Sequence, residues 1–195
     1  MKQQILIMTH IYLCRHGETT ENKQQILQGH LPGHLSAKGI EQAESLRDYL
    51  TYTGIHFDTL LVSDLKRTLD TANIINQRLH LPIVSCTLLR ERDWGSYTGI
   101  DINIARNSPI PQDAESVEQM FQRAQKFLMF VANNYHEQTI LAIGHGLFNR
   151  TIQACLSECT IQDIPRFNNC EVRHLQFERL PLSFSANQEQ IISAD

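Results

Sequence analysis

Two histidines stand where a chain can do chemistry. His16 lies in Arg15-His16-Gly17-Glu18-Thr19, directly after the apolar run Ile11-Tyr12-Leu13-Cys14. His145 lies in Gly144-His145-Gly146, directly after Ile140-Leu141-Ala142-Ile143. Each imidazole therefore leaves the end of a buried strand. Strand ends of a parallel α/β sheet open into the crevice where ligands bind, so two strands distant in sequence can aim both rings into one pocket. An imidazole that donates one ring proton and presents the other nitrogen's lone pair is a nucleophile. An arginine beside it offers a planar, permanently charged fork for phosphate oxygens. This combination suits displacement at phosphorus, which needs a positioned nucleophile, stabilisation of the equatorial oxygens and a proton for the leaving oxygen.

The elements that must position these groups alternate along the chain. Periodicity and caps predict strands over 10–14, 59–63, 83–86 and 139–143, and helices over 37–52, 65–79, 116–135 and 147–157. Ser36 reads as the cap of the first helix. Residues 172–177 and 190–193 read as closing strands, paired around a turn near Ser185-Ala186-Asn187. The expected fold is an α/β three-layer sandwich, a mostly parallel central sheet flanked by helices. The least regular segments, 24–35 and 95–114, carry Gly, Pro, Asn and Ser and are expected to wall or cover the site.

With 195 residues and 42% hydrophobic content the chain suits one globular domain spanning 1–195, and no repeat or second domain interrupts it. A net charge of −4 leaves no footprint for nucleic acid. No apolar stretch reaches the length of a membrane span, and residues 1–8 lack the apolar core and cleavage site of a secretory signal, so no membrane partner and a cytoplasmic location are expected. Cys14, Cys86, Cys155, Cys159 and Cys170 form an odd set without a Cys-x-x-Cys pair, which argues for free thiols and against a disulfide framework or thiolate zinc site.

Six motifs in order give the chain a family resemblance: Arg15-His16-Gly17-Glu18-Thr19 with Asn22; Gln28-Gly29; Leu35-Ser36-x-x-Gly39 with Gln42-Ala43; Ser63-Asp64-Leu65-x-Arg67-Thr68 with Thr71-Ala72; Glu91 before Gly95 and Gly99; and Gly144-His145-Gly146. Together they resemble the histidine phosphatase superfamily, which includes cofactor-dependent phosphoglycerate mutases and many small phosphatases. The resemblance implies the phosphoglycerate mutase-like fold, with the pocket at the C-terminal ends of the strands. It implies that His16 is the nucleophile, that Arg15 and Arg67 clamp the phosphate, with His145 a third positive donor if protonated in the complex, and that Glu91 is the general acid. Gly17 is expected to permit a tight turn. Asn22, Gln28, Gly29 and Gly146 join the substrate site. It also lifts Arg67 above its neighbour Lys66, and Glu91 above the rival acid Asp93. His30 and His34 have helical metal-pair spacing, but Pro32 and Gly33 between them speak against a regular helix, so they read as rim or surface. Neither a metal nor another cofactor is expected.

The usual signatures of other phosphatase and hydrolase classes can be tested by inspection, and the cysteine-phosphatase class is excluded for Cys14. Thr20 stands six residues after Cys14, where a cysteine phosphatase needs arginine, and neither a Gly-x-Ser-x-Gly elbow nor a Gly-x-x-x-x-Gly-Lys loop occurs. Within the resembled family, mutases share the Glu91-Arg92-x-aromatic-Gly95 pattern but continue with lysine after the second glycine and carry a longer insertion. Here Gly99 leads into Ile100-Asp101-Ile102-Asn103 and the segment to Gly144 is compact. The expected activity is therefore a metal-independent phosphomonoesterase acting on a small phosphorylated metabolite. Phosphoglycerate mutase is the alternative, kept open by Arg92, which could recognise a carboxylate or second phosphate; a phosphate-binding module is the third. Asp113-Ala114-Glu115-Ser116 replaces a more glycine-rich family pattern, and residues 1–7 read as a dispensable extension. Oligomeric state is open between monomer and homodimer.

Overall fold

The computed structural model describes residues 8–178. Five strands, β1 (Met8–Arg15), β2 (Thr59–Val62), β3 (Ile83–Ser85), β4 (Thr139–Gly144) and β5 (Val172–Glu178), form one sheet in the order β3-β2-β4-β1-β5. β1 runs parallel to β4, β4 to β2 and β2 to β3, while β5 closes the edge antiparallel to β1. The expected strand over 190–193, its turn and the extension over 1–7 lie outside the described residues.

Alternation along the inner strands sorts the side chains into two cores. Ile11, Leu13, Leu61, Ile140 and Ala142 face α5 (Val117–Asn134) and α6 (Gly146–Ser157), packing on Phe127, Leu128 and Phe148. Cys14, Leu60, Val62, Leu141 and Ile143 face α2 (Ala37–Thr53) and α3 (Lys66–Leu79), packing on Leu46, Leu50, Ala72 and Ile75. Helices on both faces of the sheet make the expected three layers. Ser36 caps α2 by accepting from the amide of Gly39 at 3.1 Å. No helix among the described residues is long and apolar enough to cross a membrane.

Two short helices escaped the periodicity. α1 (Thr20–Lys23) is stabilised by a reciprocal cap between Thr19 and Asn22, and α4 (Ile102–Arg106) by Asp101, whose side chain accepts from the amide of Asn103 at 2.7 Å. Both lie in or beside the segments read as irregular. They are too short to show a periodic face, and only their caps could have marked them.

Candidate active site

Strand register sets the two histidines side by side. Arg15 pairs with Gly144 across β1 and β4, so both chains leave the sheet at the same level, and the amide of His16 donates to the carbonyl of Gly144 at 3.1 Å. The ring centroids of His16 and His145 are 5.3 Å apart, edge to face. His16 Nδ1 lies 2.7 Å from the carbonyl oxygen of Gly17, which only a protonated Nδ1 can satisfy, so Nε2 carries the lone pair. Burial first, then the charges of Arg67 and Arg15, push the His16 pKa well below 6.5, which keeps that lone pair free of a proton.

His145 is fully buried and lies behind the cavity wall rather than on it. Its Nδ1 accepts from Arg67 Nε at 3.2 Å, which leaves Nε2 to donate to Ser63 Oγ at 3.0 Å. The ring is neutral in this arrangement, and burial together with Arg67, His16 and Arg15 lowers its pKa well below 6.5. The resting ring adds no positive charge, and the charge expected of it belongs to the complex with substrate. Protonation at Nδ1 would end the Arg67 bond, so the charged form requires an anion to reverse the local field first.

The glycine of the first motif has a different reason from the tight turn expected of it. Gly17 does not adopt a positive φ. A Cβ there would stand 2.5 Å from the carbonyl oxygen of Gly39, and a Cβ on Gly39 would stand 1.9 Å from that of Glu18. Two backbones pass in contact, and this holds the start of α2 against the His16 loop.

Arg67 is 1% exposed, whereas Lys66 pairs with Asp70 at the surface. Besides His145, the Arg67 guanidinium donates to the carbonyls of Leu31 and Gly29, the latter at 2.8 Å. These bonds draw the loop over 28–31 against Arg67 beside His145. Burial pulls the pKa of Arg67 down to about 10, which still leaves it charged at neutral pH. Arg15 donates through Nη1 to the carbonyl of Phe167 at 2.7 Å, and its buried Nε has no acceptor among the described residues. A Cβ on Gly146 would stand 3.2 Å from that Nε, so glycine lets Arg15 lie across the start of α6. Gln28 donates to Thr19 Oγ1 at 2.8 Å, and Asn22 Oδ1 accepts from the amide of Thr19, which leaves its amide nitrogen for the cavity.

Glu91 reaches the first turn of α6. Its Oε1 accepts from the amides of Arg92 and Phe148 at 2.9 and 3.1 Å, and its Oε2 from that of Leu147 at 3.2 Å. It thereby caps α6, whose own N-cap residue, His145, makes no side-chain cap bond. Its neighbours take other partners. Arg90 pairs bidentately with Asp64, and Asp93 caps a turn by accepting from the amide of Gly95 at 2.9 Å. Asp93 is therefore a turn residue, and Glu91 is the carboxylate on the cavity wall. Arg92 donates through Nε to the carbonyl of Glu115 at 2.7 Å and lies over the Trp94 ring at 4.3 Å. His30 and His34 go separate ways, His30 to the carbonyl of Glu91 and His34 to the carboxylate of Glu21.

The cavity has a volume of about 780 Å³ and is lined by every residue expected of the site except His145. Sequence reasoning missed Arg123, which makes a bidentate pair with Glu115 and donates to the carbonyls of Leu88 and Arg90 at 3.0 and 2.6 Å. It holds the strap that carries Glu91. It also missed Ser63 as the partner of His145. Asn169, just before β5, donates to the carbonyl of His16 at 3.0 Å.

Comparison with known proteins agrees with this geometry. The family model of the histidine phosphatase superfamily (branch 1) matches residues 11–184. The chain belongs to that superfamily. Among curated histidine phosphatase relatives, the Bacillus subtilis (strain 168) protein called uncharacterized phosphatase PhoE is 36% identical over 155 residues, covering 77% of each chain. A probable phosphoglycerate mutase GpmB of Enterobacter sp. (strain 638) is 29% identical over 196 residues, covering 89% of this chain and 87% of its own. Among solved structures, Bacillus stearothermophilus YhfR superposes with a TM-score of 0.78 at 26% identity, over 85% of this chain and 90% of its own. Histidine phosphatase relatives thus carry both phosphatase and mutase names.

Proposed function

We propose that this histidine phosphatase hydrolyses a small phosphomonoester without a metal, through a phosphohistidine on His16. The observation that carries this reading is the His16 ring itself: its Nδ1 proton is committed to Gly17, and its Nε2 is free beside Arg15 and Arg67. Nε2 attacks phosphorus, and the bond to the ester oxygen breaks. The arginines stabilise the charge on the equatorial oxygens. Glu91 gives a proton to the departing alkoxide, and the resulting carboxylate then takes one from the water that attacks the phosphohistidine. The N–P bond breaks, inorganic phosphate leaves, and His16 and Glu91 return to their starting states.

Hydrolysis is favoured over mutase chemistry by the lack of a lysine after Gly99 and by the short segment from Gly99 to Gly144. Arg92 supports the second reading, since its guanidinium lines the cavity with only Nε committed. The test is phosphate release from a panel of phosphomonoesters, including 3-phosphoglycerate and sugar phosphates, in EDTA. Turnover that disappears in His16→Ala supports the phosphatase. Phosphate transfer within 3-phosphoglycerate that depends on added 2,3-bisphosphoglycerate, with no release, would replace it by the mutase.

A further inference from the structure

The arginines of the described residues divide cleanly. Arg47 and Arg78 meet Asp48, Arg90 meets Asp64, Arg123 meets Glu115 and Arg173 meets Glu171. None of these lines the catalytic cavity. Arg15, Arg67, Arg92, Arg106, Arg150 and Arg166 have no carboxylate partner among the described residues, and all six line it. Glu91 is the one acidic side chain on the same wall. In a chain of net charge −4, such a concentration of unpaired guanidinium is costly unless anions occupy it. Arg15 and Arg67 beside His16 suffice for one phosphoryl group, which leaves most of the positive charge unexplained.

Within this surplus Arg150 and Arg166 meet at one backbone segment, 161–167. Arg150, on α6, donates through Nε to the carbonyl of Ile164 at 2.8 Å and through Nη2 to that of Ile161. Arg173 donates to the carbonyls of Pro165 and Arg166, each at 2.9 Å, and Arg15 to that of Phe167. Guanidinium groups thus pin the backbone over 161–167 and fix where the Arg166 side chain starts at the cavity wall. Arg150 and Arg166 are close enough that, after burial, the charge of Arg166 is the next cause lowering the Arg150 pKa. Like charges held together on a fixed backbone form a recess for an anion. Ile26, Trp94, Tyr97, Ile102 and Ile110 give the remaining wall an apolar stretch beside the polar Asn107 and Ser108, and the volume of about 780 Å³ far exceeds a phosphate group.

We propose that the substrate is a phosphomonoester whose alcohol portion combines an apolar body with a second anionic group, and that Arg166 together with Arg150 binds this second anion. The proposal rests on the phosphomonoesterase reading and names its substrate class.

The test uses pairs of aryl phosphates, on phenyl and naphthyl scaffolds, whose members differ only in a distal carboxymethyl against a carbamoylmethyl group. The methylene insulates the ring, so the leaving groups match. The expected result is a kcat/KM at least about tenfold higher for the carboxylate member on at least one scaffold. That ratio should fall to near one in Arg166→Glu and persist in Arg106→Glu. A ratio near one for the unmodified protein on both scaffolds overturns the proposal, as does a preference that survives Arg166→Glu or is lost only in Arg106→Glu. If no ester is turned over, the phosphatase reading fails separately. The anion site is then judged by calorimetric affinities of the same pairs for the unmodified and Arg166→Glu proteins, with the same ratios deciding it.

Discussion

Glu91 Oε1 accepts from the backbone amide of Phe148 at 3.1 Å, so the proposed acid and the helix that follows His145 are fastened together. Glu91→Gln keeps the shape and, through its single oxygen, the bonds from Arg92 and Phe148, but it gives up the bond from Leu147 and has no acidic proton to give. Hydrolysis of alkyl phosphates should fall by about 10²–10⁴-fold, and that of activated aryl phosphates far less. Equal losses on both ester types in steady-state assays would remove Glu91 from the acid role.

His16→Ala should abolish trapping of labelled phosphate on acid-quenched protein while leaving the fold intact, because neighbouring backbone bonds carry the loop. Mass spectrometry of the quenched enzyme locates the label, and a label on any residue other than His16 would refute the assignment.

Stability should depend on pH through His16 and His145. Both rings have folded-state pKa values depressed below 6.5, so the unfolded chain binds more protons than the folded one as pH falls below that value. The stabilisation is therefore complete above about pH 6.5 and is lost below it, approaching about 1.4 kcal/mol per pH unit for each ring until the folded values are reached. Urea midpoints between pH 7.5 and 5 should show a shallower slope in His16→Gln and His145→Gln. An unchanged slope would mean that these rings charge in the folded state.

Gly39→Ala drives a methyl group into the carbonyl of Glu18, where a Cβ would stand at 1.9 Å. Backbone faces backbone there, so no side chain can yield, and the loss should be about 3 kcal/mol or more by chemical denaturation. Gly54→Ala is the control, since nothing lies within 4 Å of its Cβ and only its φ of +67° opposes the change.

Arg123→Ala leaves the Glu115 carboxylate and the carbonyls of Leu88 and Arg90 without their shared donor. A loss of about 3 kcal/mol is expected from the abandoned, largely buried ion pair. Because the strap carries Glu91, kcat on alkyl phosphates should drop more than kcat on activated aryl phosphates. An even drop would assign Arg123 to stability alone.

What the sequence could disclose follows from where each signal resides. His16 and His145 announce themselves because an apolar run precedes each, and strand ends are local features. Arg67 and Lys66 are indistinguishable by local chemistry, and only the surrounding motif separated the buried arginine from the surface lysine. The target of Glu91 was illegible, since the amides it caps belong to a helix that begins much later. Arg123 reads as an ordinary basic residue of an amphipathic helix, and its pairing with Glu115 crosses the helix start at a spacing with no local meaning. The neutral state of His145 depends on Arg67 and Ser63 arriving together from one motif, a tertiary outcome that residue types alone do not encode.

The strand order has a consequence for how the enzyme comes into being. β4 wedges between β2 and β1, yet it is synthesised long after both. A nascent chain that has emerged only as far as α5 therefore holds β1 and β2 with an open slot between them, and it lacks His145 and the helix that Glu91 caps. Such long-range closure slows folding. It also makes catalytic competence a late event in synthesis, so prematurely terminated products should be inert toward cellular phosphoesters rather than partially active.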